Sequence, residues 1–460
     1  MIARQDEQRQ GHRPTIRSVA GSSPLGAYPA YRRDPLAFHA GLARRFGDIV
    51  AYRMLGAPIV FLNAPDLIGS LLVEHAGDYD KGVFQRLAFA PFVGRGLLTS
   101  EGPQHARQRK LVAPAFQPRH ITAYADAMAA HGDRWQAARV DGEVMDMHRA
   151  MMGLALAVVS DVLLGADVSA DSAAIGDAMD TGVRWFQQAS TRLLTLPLVV
   201  PTPRNRRTRA ALAVVRRTVR RIIAEHRAGD GAERGARDGL LTLLLAARDE
   251  AGKPMGNKQL LDEVRTIFLA GHETTALALT WAFYLLATHP EVETRLHAEV
   301  DAVLGDRVPG VADLARLPYT LQVLKETLRL YPPSSAILRV ALRDTTLGPG
   351  YPIRKRTSVV LSQYALHRRP DTFPEPERFD PDRFTPERER ALPRYAYLPF
   401  GAGPRVCIGS HFALLEGHFL LATIARGMRF ALQEPEVEVR PELALTLRPS
   451  RPVMVRAARR

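Results

Sequence analysis

The sequence predicts a mainly helical α+β fold: a large helical part, a smaller β-rich part and one long central helix. Three observations predict it. From Pro65 to about Leu330, apolar residues recur at intervals of three and four, as in Leu67, Leu71 and Leu72 or Leu240, Leu243 and Leu244. From Asn257 to His289 that pattern continues without a break until Pro290 stops it, which makes a helix long enough to cross the molecule. After Tyr331 the texture changes, and prolines from Pro332 to Pro404 punctuate a stretch of short strands and loops.

Taken in order, the chain opens with loop and a short helix, followed by a hairpin over Asp48 to Asn63 with its turn at Gly56-Ala57-Pro58. Helices follow, then the proline-rich stretch, then a last helical pattern from Ile408 to about Arg426. One domain over residues 1–460 accommodates this, β- or loop-rich at about 25–63 and 331–400 and helical at about 65–330 and 408–427. A proline-rich loop of that length inside a compact chain usually carries function.

The chain has 460 residues, 46% hydrophobic and 24% charged, a composition that is globular and not disordered. Its single cysteine, Cys407, excludes an intramolecular disulfide and any Cys-rich zinc or iron–sulfur site, and suits a reducing compartment. The polar start, Met1 to Arg17, has no apolar core of a secretory signal. The most apolar stretch, Gly153 to Val168, is broken by Ser160 and Asp161, so no integral membrane anchor is expected and a cytoplasmic location is. The net charge of +14 suits nucleic acid or an acidic protein. Only Arg204 to Arg221 form a dense basic cluster, and no aromatics interleave it, so nucleic acid is not the expected partner.

The strongest chemical signal is Phe400-Gly401-Ala402-Gly403-Pro404-Arg405-Val406-Cys407-Ile408-Gly409. A lone cysteine is ordinarily an inert small hydrophobe. Here Gly401, Gly403 and Pro404 impose a tight turn, and a helix starts just after the sulfur. Helix-terminal N–H groups then favour thiolate, and Arg405 can meet an anion. A thiolate in a Gly-rich loop is one way a protein holds haem iron for O–O cleavage. The loop resembles the cytochrome P-450 family: its signature Phe-x-x-Gly-x-Arg-x-Cys-x-Gly is met by Phe400, Gly403, Arg405, Cys407 and Gly409. The resemblance runs from about Pro24 to Pro449, with further motifs in the expected order.

Inside the long helix lies Ala270-Gly271-His272-Glu273-Thr274-Thr275. His272-Glu273 invites a zinc reading, but the second histidine that reading needs is Ala276. A threonine in a helix often bonds back to a carbonyl one turn earlier. A small Ala-Gly pair instead lets a flat ligand or O₂ approach the backbone, and an acid beside an alcohol can relay protons. The resemblance makes Glu273 and Thr274 the proton-delivery pair, Ala270 a ceiling over the distal haem face, and the central helix the one that passes over the haem. It also joins Glu326 and Arg329 of the Glu-x-x-Arg motif to Arg383 as a structural triad, with Cys407 as axial iron ligand.

Haem b carries two propionates and needs cationic clamps. The candidates are His105 and Arg109, one turn apart on one helix face, with Arg339 and Arg405, and Phe400 against the cofactor. By resemblance, substrate contacts come from Phe84–Leu98, Thr191–Pro203, Phe268–Thr274 and Ser334–Ile337. The residues singled out are Phe89, Phe92, Phe268, Leu269, Ser335 and Ile337, an apolar set.

The resemblance implies a soluble, monomeric, bacterial-type haem-thiolate monooxygenase that inserts one atom of O₂ into a small apolar substrate. No flavin or iron–sulfur domain fits in the chain, so NAD(P)H-derived electrons must arrive from a ferredoxin or flavodoxin and its reductase. Arg107, Arg109 and Lys110 are expected to offer an acidic carrier its dock. The apolar run Leu196 to Pro201 favours a neutral terpenoid-, steroid- or carotenoid-like substrate. Arg86 and Arg95 keep a fatty-acid hydroxylase open. A haem-thiolate peroxygenase or isomerase, or a non-catalytic haem protein, would not need the intact Glu273-Thr274 pair.

Overall fold

The computed structural model describes residues 14–19, 23–191, 196–229 and 239–460. Two compact units make up the chain. One comprises residues 1–82, 335–376 and 392–406; the other comprises 83–334, 377–391 and 407–460.

The first unit is built on a six-stranded sheet. Its spatial order is Ser18–Val19, Ile49–Met54, Ala57–Leu62, Ser358–Ser362, Ala336–Ala341, Tyr79–Asp80. Alternation sorts its side chains: Ile59 and Phe61 join Leu42, Val50, Tyr52 and Ala365 on one face. Val60 and Leu62 join Leu67, Ile68, Leu71 and Leu361 on the other. The hairpin expected at 48–63 is present, but its turn is Leu55-Gly56, with φ of 51° and 79°. Met54 pairs with Ala57 and Arg53 with Pro58, so Ala57 and Pro58 are strand residues and not turn. Two left-handed residues match the twist of the flanking strands, a signal that the proline beside them obscured.

The second unit is mainly helical. The helices that carry the argument are α1 (Gly82–Val93), α2 (Gly102–Val112), α3 (Met147–Val158), α4 (Ser172–Thr191), α5 (Pro203–Ala228), α6 (Asn257–Thr288), α7 (Pro318–Leu330) and α8 (Ser410–Gly427). Helix α6 has 32 residues, a rod of about 48 Å at about 1.5 Å per residue. It ends where the sequence puts Pro290. Gly271 lies against the turn that follows α3: a Cβ there would meet Val159 Cγ2 at 3.2 Å. The glycine therefore serves helix–helix approach, while its neighbour Ala270 is exposed.

Two strand groups in this unit lay outside the sequence reading. Val144–Asp146, Met428–Leu432 and Met454–Arg459 form a three-stranded antiparallel sheet. Pro441–Leu443 pairs with Leu447–Pro449 in a hairpin, which Leu447 pins to α6 by accepting the Trp281 indole N–H at 3.1 Å.

Candidate active site

On α6, residues 262–269 are buried, and so are His272 and Glu273, yet Ala270 is exposed and Thr274 half-buried. Positions four apart share a helix face, so one small and one hydroxylic side chain line an accessible strip on an otherwise packed helix. The Thr274 hydroxyl donates to the Ala270 carbonyl at 2.9 Å, the back-bonded arrangement that the sequence left open. Its neighbour Thr275 donates to Gly271 O at 3.3 Å and to Glu416 Oε2 at 3.0 Å. Two side chains thus compete for the carbonyls of one turn, which weakens the regular ladder there.

Glu273 points elsewhere. Its Oε1 accepts the Thr446 hydroxyl at 2.6 Å and the Arg448 Nε and Nη2 at 3.1 and 2.9 Å. Arg448 also holds Asp180 of α4 at 2.8 Å. The acid and alcohol adjacent in sequence are therefore not hydrogen-bonded to each other. Glu273 sits in a node linking α6, α4 and the 441–449 hairpin. None of Thr446, Arg448 and Asp180 was found from the sequence, because they lie far from 273 along the chain and carry no motif.

Cys407 precedes α8. The Gly409 N–H bonds to its sulfur and the Arg109 charge acts on it, both favouring thiolate as expected, but burial outweighs them and the thiol is pushed up. The residue nevertheless has accessible surface. On α2, His105 is buried and Arg109 half-buried one turn on. Arg107 and Lys110 are already engaged, with Asp249 at 2.7 Å and Glu250 at 2.5 Å. The free cationic dock expected on this helix is thus partly neutralised, since these acids could not be paired with it from sequence spacing.

In the first unit, Gly401 and Gly403 take φ of 71° and 69°. A Cβ on Gly403 would lie 1.8 Å from Leu72 O, so only glycine fits. Leu398 N bonds His367 Nε2 at 2.9 Å, and the Gln363 amide donates to Leu398 O. These two side chains hold the segment that leads through Phe400 to Arg405. Arg339 and Ile337 lie half-buried on the strand Ala336–Ala341, and Ile337 Cδ1 is 3.5 Å from the position of a Cβ on Gly401. Within the second unit the residues present fit a haem: one thiolate donor in Cys407, the small exposed Ala270 on its helix, and His105 and Arg109 one turn apart as cationic partners for a propionate.

The triad is assembled within the second unit. Arg329 and Glu326, neither with any exposed surface, pair through Nε–Oε2 at 2.6 Å and Nη2–Oε1 at 2.7 Å. Arg383 reaches Glu326 at 3.4 Å, and Asp380 N donates to it at 3.0 Å. Burial pushes the Glu326 carboxyl up, against the pull of Arg329. The Glu-x-x-Arg pair therefore fixes segment 378–383 to α7, and loss of one partner would strand a buried charge at a cost of about 3–5 kcal/mol.

Of the expected substrate contacts, Phe89 and Phe92 are half-buried on α1 and meet Phe186 and Trp185 of α4 at ring-centroid distances of 4.8 and 5.8 Å. Phe268 and Ser335 are corrections: they are 0% and 3% exposed, and read as core. On α6, Phe268 is turned about 200° from Ala270, away from the accessible strip. Leu269, 8% exposed, also offers little surface. Residues 192–195 of the expected access loop lie outside the described residues.

The sequence reading also missed a clamp on the last turn of α1 and the segment after it. Arg265 Nη2 donates to Pro91 O at 2.8 Å and also to Phe92 O. Asp262 Oδ2 accepts Arg95 N at 3.0 Å, and Glu263 Oε2 accepts Leu97 N at 2.8 Å. Gly94 and Gly96 lie so close to Asp262 and Thr266 that a Cβ would stand 2.0 and 2.2 Å from their oxygens. Burial pushes Glu263 up to about 7, with Leu97 N–H pulling the other way. The one signal in sequence was four polar residues, Asp262, Glu263, Arg265 and Thr266, in a helix expected to be buried.

A sequence model of the family described as Cytochrome P450 matches residues 23–456. Cyclooctatin synthase of Streptomyces melanosporofaciens is 38% identical over 434 residues, 94% of each chain. Pentalenene oxygenase of Streptomyces avermitilis is 36% identical over 441 residues, covering 93% of this chain and 95% of its own. The structure is also similar to the retinoic acid-bound cyanobacterial CYP120A1, with TM-score 0.83 and 24% identity over 98% of this chain and 100% of that one.

Proposed function

The chain belongs to the cytochrome P450 family and is a haem-thiolate monooxygenase, and we propose that it oxygenates a neutral terpenoid-like substrate. Haem b supplies the activation of O₂ with NAD(P)H-derived electrons. The chain's own residues bind, orient and deliver protons. In this reading Cys407 would be the iron ligand, His105, Arg109, Arg339 and Arg405 would hold the propionates, Phe400 would contact the cofactor, and the small Ala270 would leave room beside it.

Thr274 would be the alcohol of the proton-delivery pair. Its hydroxyl spends its proton on Ala270 O in the resting arrangement, so its lone pairs stay free to accept from water in the strip. Glu273 would pass a proton to that strip only on leaving the Thr446–Arg448 node that holds it in this structure. The observation that carries the oxygenase reading is the intact loop around Cys407 together with an acid–alcohol pair whose alcohol borders the one accessible strip of residues 262–274 on α6.

The substrate reading rests on two supports. The two relatives are named for pentalenene and for cyclooctatin, both terpenoid. Phe89 and Phe92 are apolar, and of the two arginines that could anchor a carboxylate, Arg86 lies half-buried on the same helix and Arg95 has an exposed side chain. A free fatty acid would need its charge paired or left in water. Electrons reach the enzyme from a ferredoxin or flavodoxin and its reductase, and the protein works as a cytoplasmic monomer. The test is a Soret-shift panel, followed by turnover with NAD(P)H and a surrogate ferredoxin system. Neutral polycyclic terpenes should give stronger high-spin shifts than fatty acids of similar length. Tightest shifts with fatty acids, weakened in Arg95→Ala, would overturn the substrate class.

A further inference from the structure

Helix α5 carries much of the chain's charge surplus. Its 26 residues hold nine arginines against one glutamate, a surplus of eight, where the whole chain of 460 has a surplus of 14. The helix buries Asn205, Leu212, Val215, Val219, Ile222 and Ile223 on one face. Three of its arginines have partners: Arg204 donates to Trp185 O, Arg221 pairs with Asp171, and Arg227 donates to Asn257. Arg206, Arg207, Arg209, Arg216, Arg217 and Arg220 are exposed, and none makes an ion pair among the described residues. At 100° per residue, Arg206, Arg209, Arg217 and Arg220 fall within one arc of about 80°, separated by alanines.

The segment ahead of α5 is the counterpart. Leu196 and Val199 are 56% and 80% exposed. The Asn205 amide in the first turn of α5 donates to the carbonyls of Leu196, Pro197 and Val200 at 3.4, 2.9 and 3.0 Å. Trp185 Nε1 donates to the same Asn205 at 3.3 Å. One buried amide thus consumes the backbone acceptors of the turn and ties it to the helix, which leaves the apolar side chains pointing out. An apolar tip fixed to the start of a cationic, aromatic-free stripe is the two-part pattern of interfacial binding, in which apolar insertion and headgroup attraction add. A single-stranded nucleic acid would use stacking aromatics, which the stripe lacks.

We propose that the outer face of α5, with the Leu196–Val199 tip, docks this enzyme onto the surface of an anionic phospholipid bilayer. The interaction is peripheral, since no helix among the described residues is long and apolar enough to cross a membrane. It is independent of which apolar molecule the active site accepts.

The experiment is flotation of the holoprotein with vesicles of phosphatidylcholine, alone or with about one third phosphatidylglycerol. Binding should require phosphatidylglycerol and fall with salt. Each arginine lost from the stripe should lower the partition constant about five-fold, so R206E/R209E/R217E/R220E should abolish flotation. L196S/V199S should weaken binding that remains at high salt. Both variants should retain the thiolate spectrum of the ferrous–CO complex, which reports an intact fold. Equal binding to both vesicle types, or undiminished flotation of the arginine variant, would overturn the proposal. So would binding to duplex DNA that needs the arginines while phosphatidylglycerol vesicles do not compete for it.

Discussion

Glu416→Gln should remove a pH dependence from the stability of the protein. Glu416 lies on α8 with no exposed surface, one oxygen accepting the Thr275 hydroxyl at 3.0 Å and the other, Oε1, without a partner. Burial pushes its carboxyl up from 4.5 to about 8, against the weaker pull of Thr275. Below about pH 4.5 both folded and unfolded chains hold the proton. As pH rises towards about 8 the folded chain keeps a proton that the unfolded chain releases, so the stability this group contributes is progressively lost, by about 1.4 kcal/mol per pH unit. Across the window the loss is on the order of 5 kcal/mol. Glutamine has the shape of the protonated acid and cannot ionise. The variant should therefore match the parent near pH 5 and exceed it by several kcal/mol near pH 8, an order-of-magnitude figure. Urea unfolding of the holoprotein, followed by far-UV ellipticity and Soret absorbance, measures the gap at each pH. Glu263 and every other titrating group contribute to both proteins and cancel in the difference. Parallel stability curves would refute the reasoning, because Glu416 would then be ionised or hydrated in the folded state.

Cys407→Ser should lose the thiolate spectrum of the ferrous–CO complex, and its retention would remove the ligand assignment. Thr274→Ala should fold and bind haem, since one hydroxyl bonded to a carbonyl of its own helix contributes little, yet release more peroxide per product formed; unchanged coupling would make Thr274 structural. Arg448→Met should destabilise the protein by about 3 kcal/mol by leaving the buried Glu273 without an opposite charge and with only Thr446 as partner, and a loss under about 1 kcal/mol in urea unfolding would show that water compensates the node.

The sequence was most informative where chemistry is local. Cys407 and the glycines before it are contiguous, and Gly403 is fixed by a backbone clash that a side chain could not avoid. The length of α6 was readable because Pro290 ends a single apolar period. What escaped was long-range pairing of polar groups. Glu273 meets Arg448 across 175 positions and Glu263 meets Leu97 across 166, and no periodicity encodes either. The strands at 428–432 and 454–459 do alternate buried and exposed residues, but their many arginines mask the apolar period. Phe268, which the resemblance placed among the substrate contacts through the 268–274 segment, has no exposed surface, because on α6 it is turned about 200° from Ala270.

Helix α6 shows why an acid and an alcohol side by side in sequence can be governed separately. Its clamp residues Asp262, Glu263 and Arg265 hold segment 91–97, Gly271 admits Val159, Glu273 faces the 441–449 hairpin, and Thr275 faces Glu416. Only Ala270 and Thr274 keep surface to share with a ligand on that stretch, apart from the half-buried Gly271. The rigid neighbours thus fix where the hydroxyl stands, while the charge of Glu273 depends on a hairpin and on Asp180 of α4. Helix α4 also carries Phe186 and Trp185, which contact the aromatic wall on α1. Helix α4 therefore carries both the rings that face Phe89 and Phe92 and one of the two carboxylates that hold Arg448 against Glu273, so the aromatic wall and the node share one rigid element.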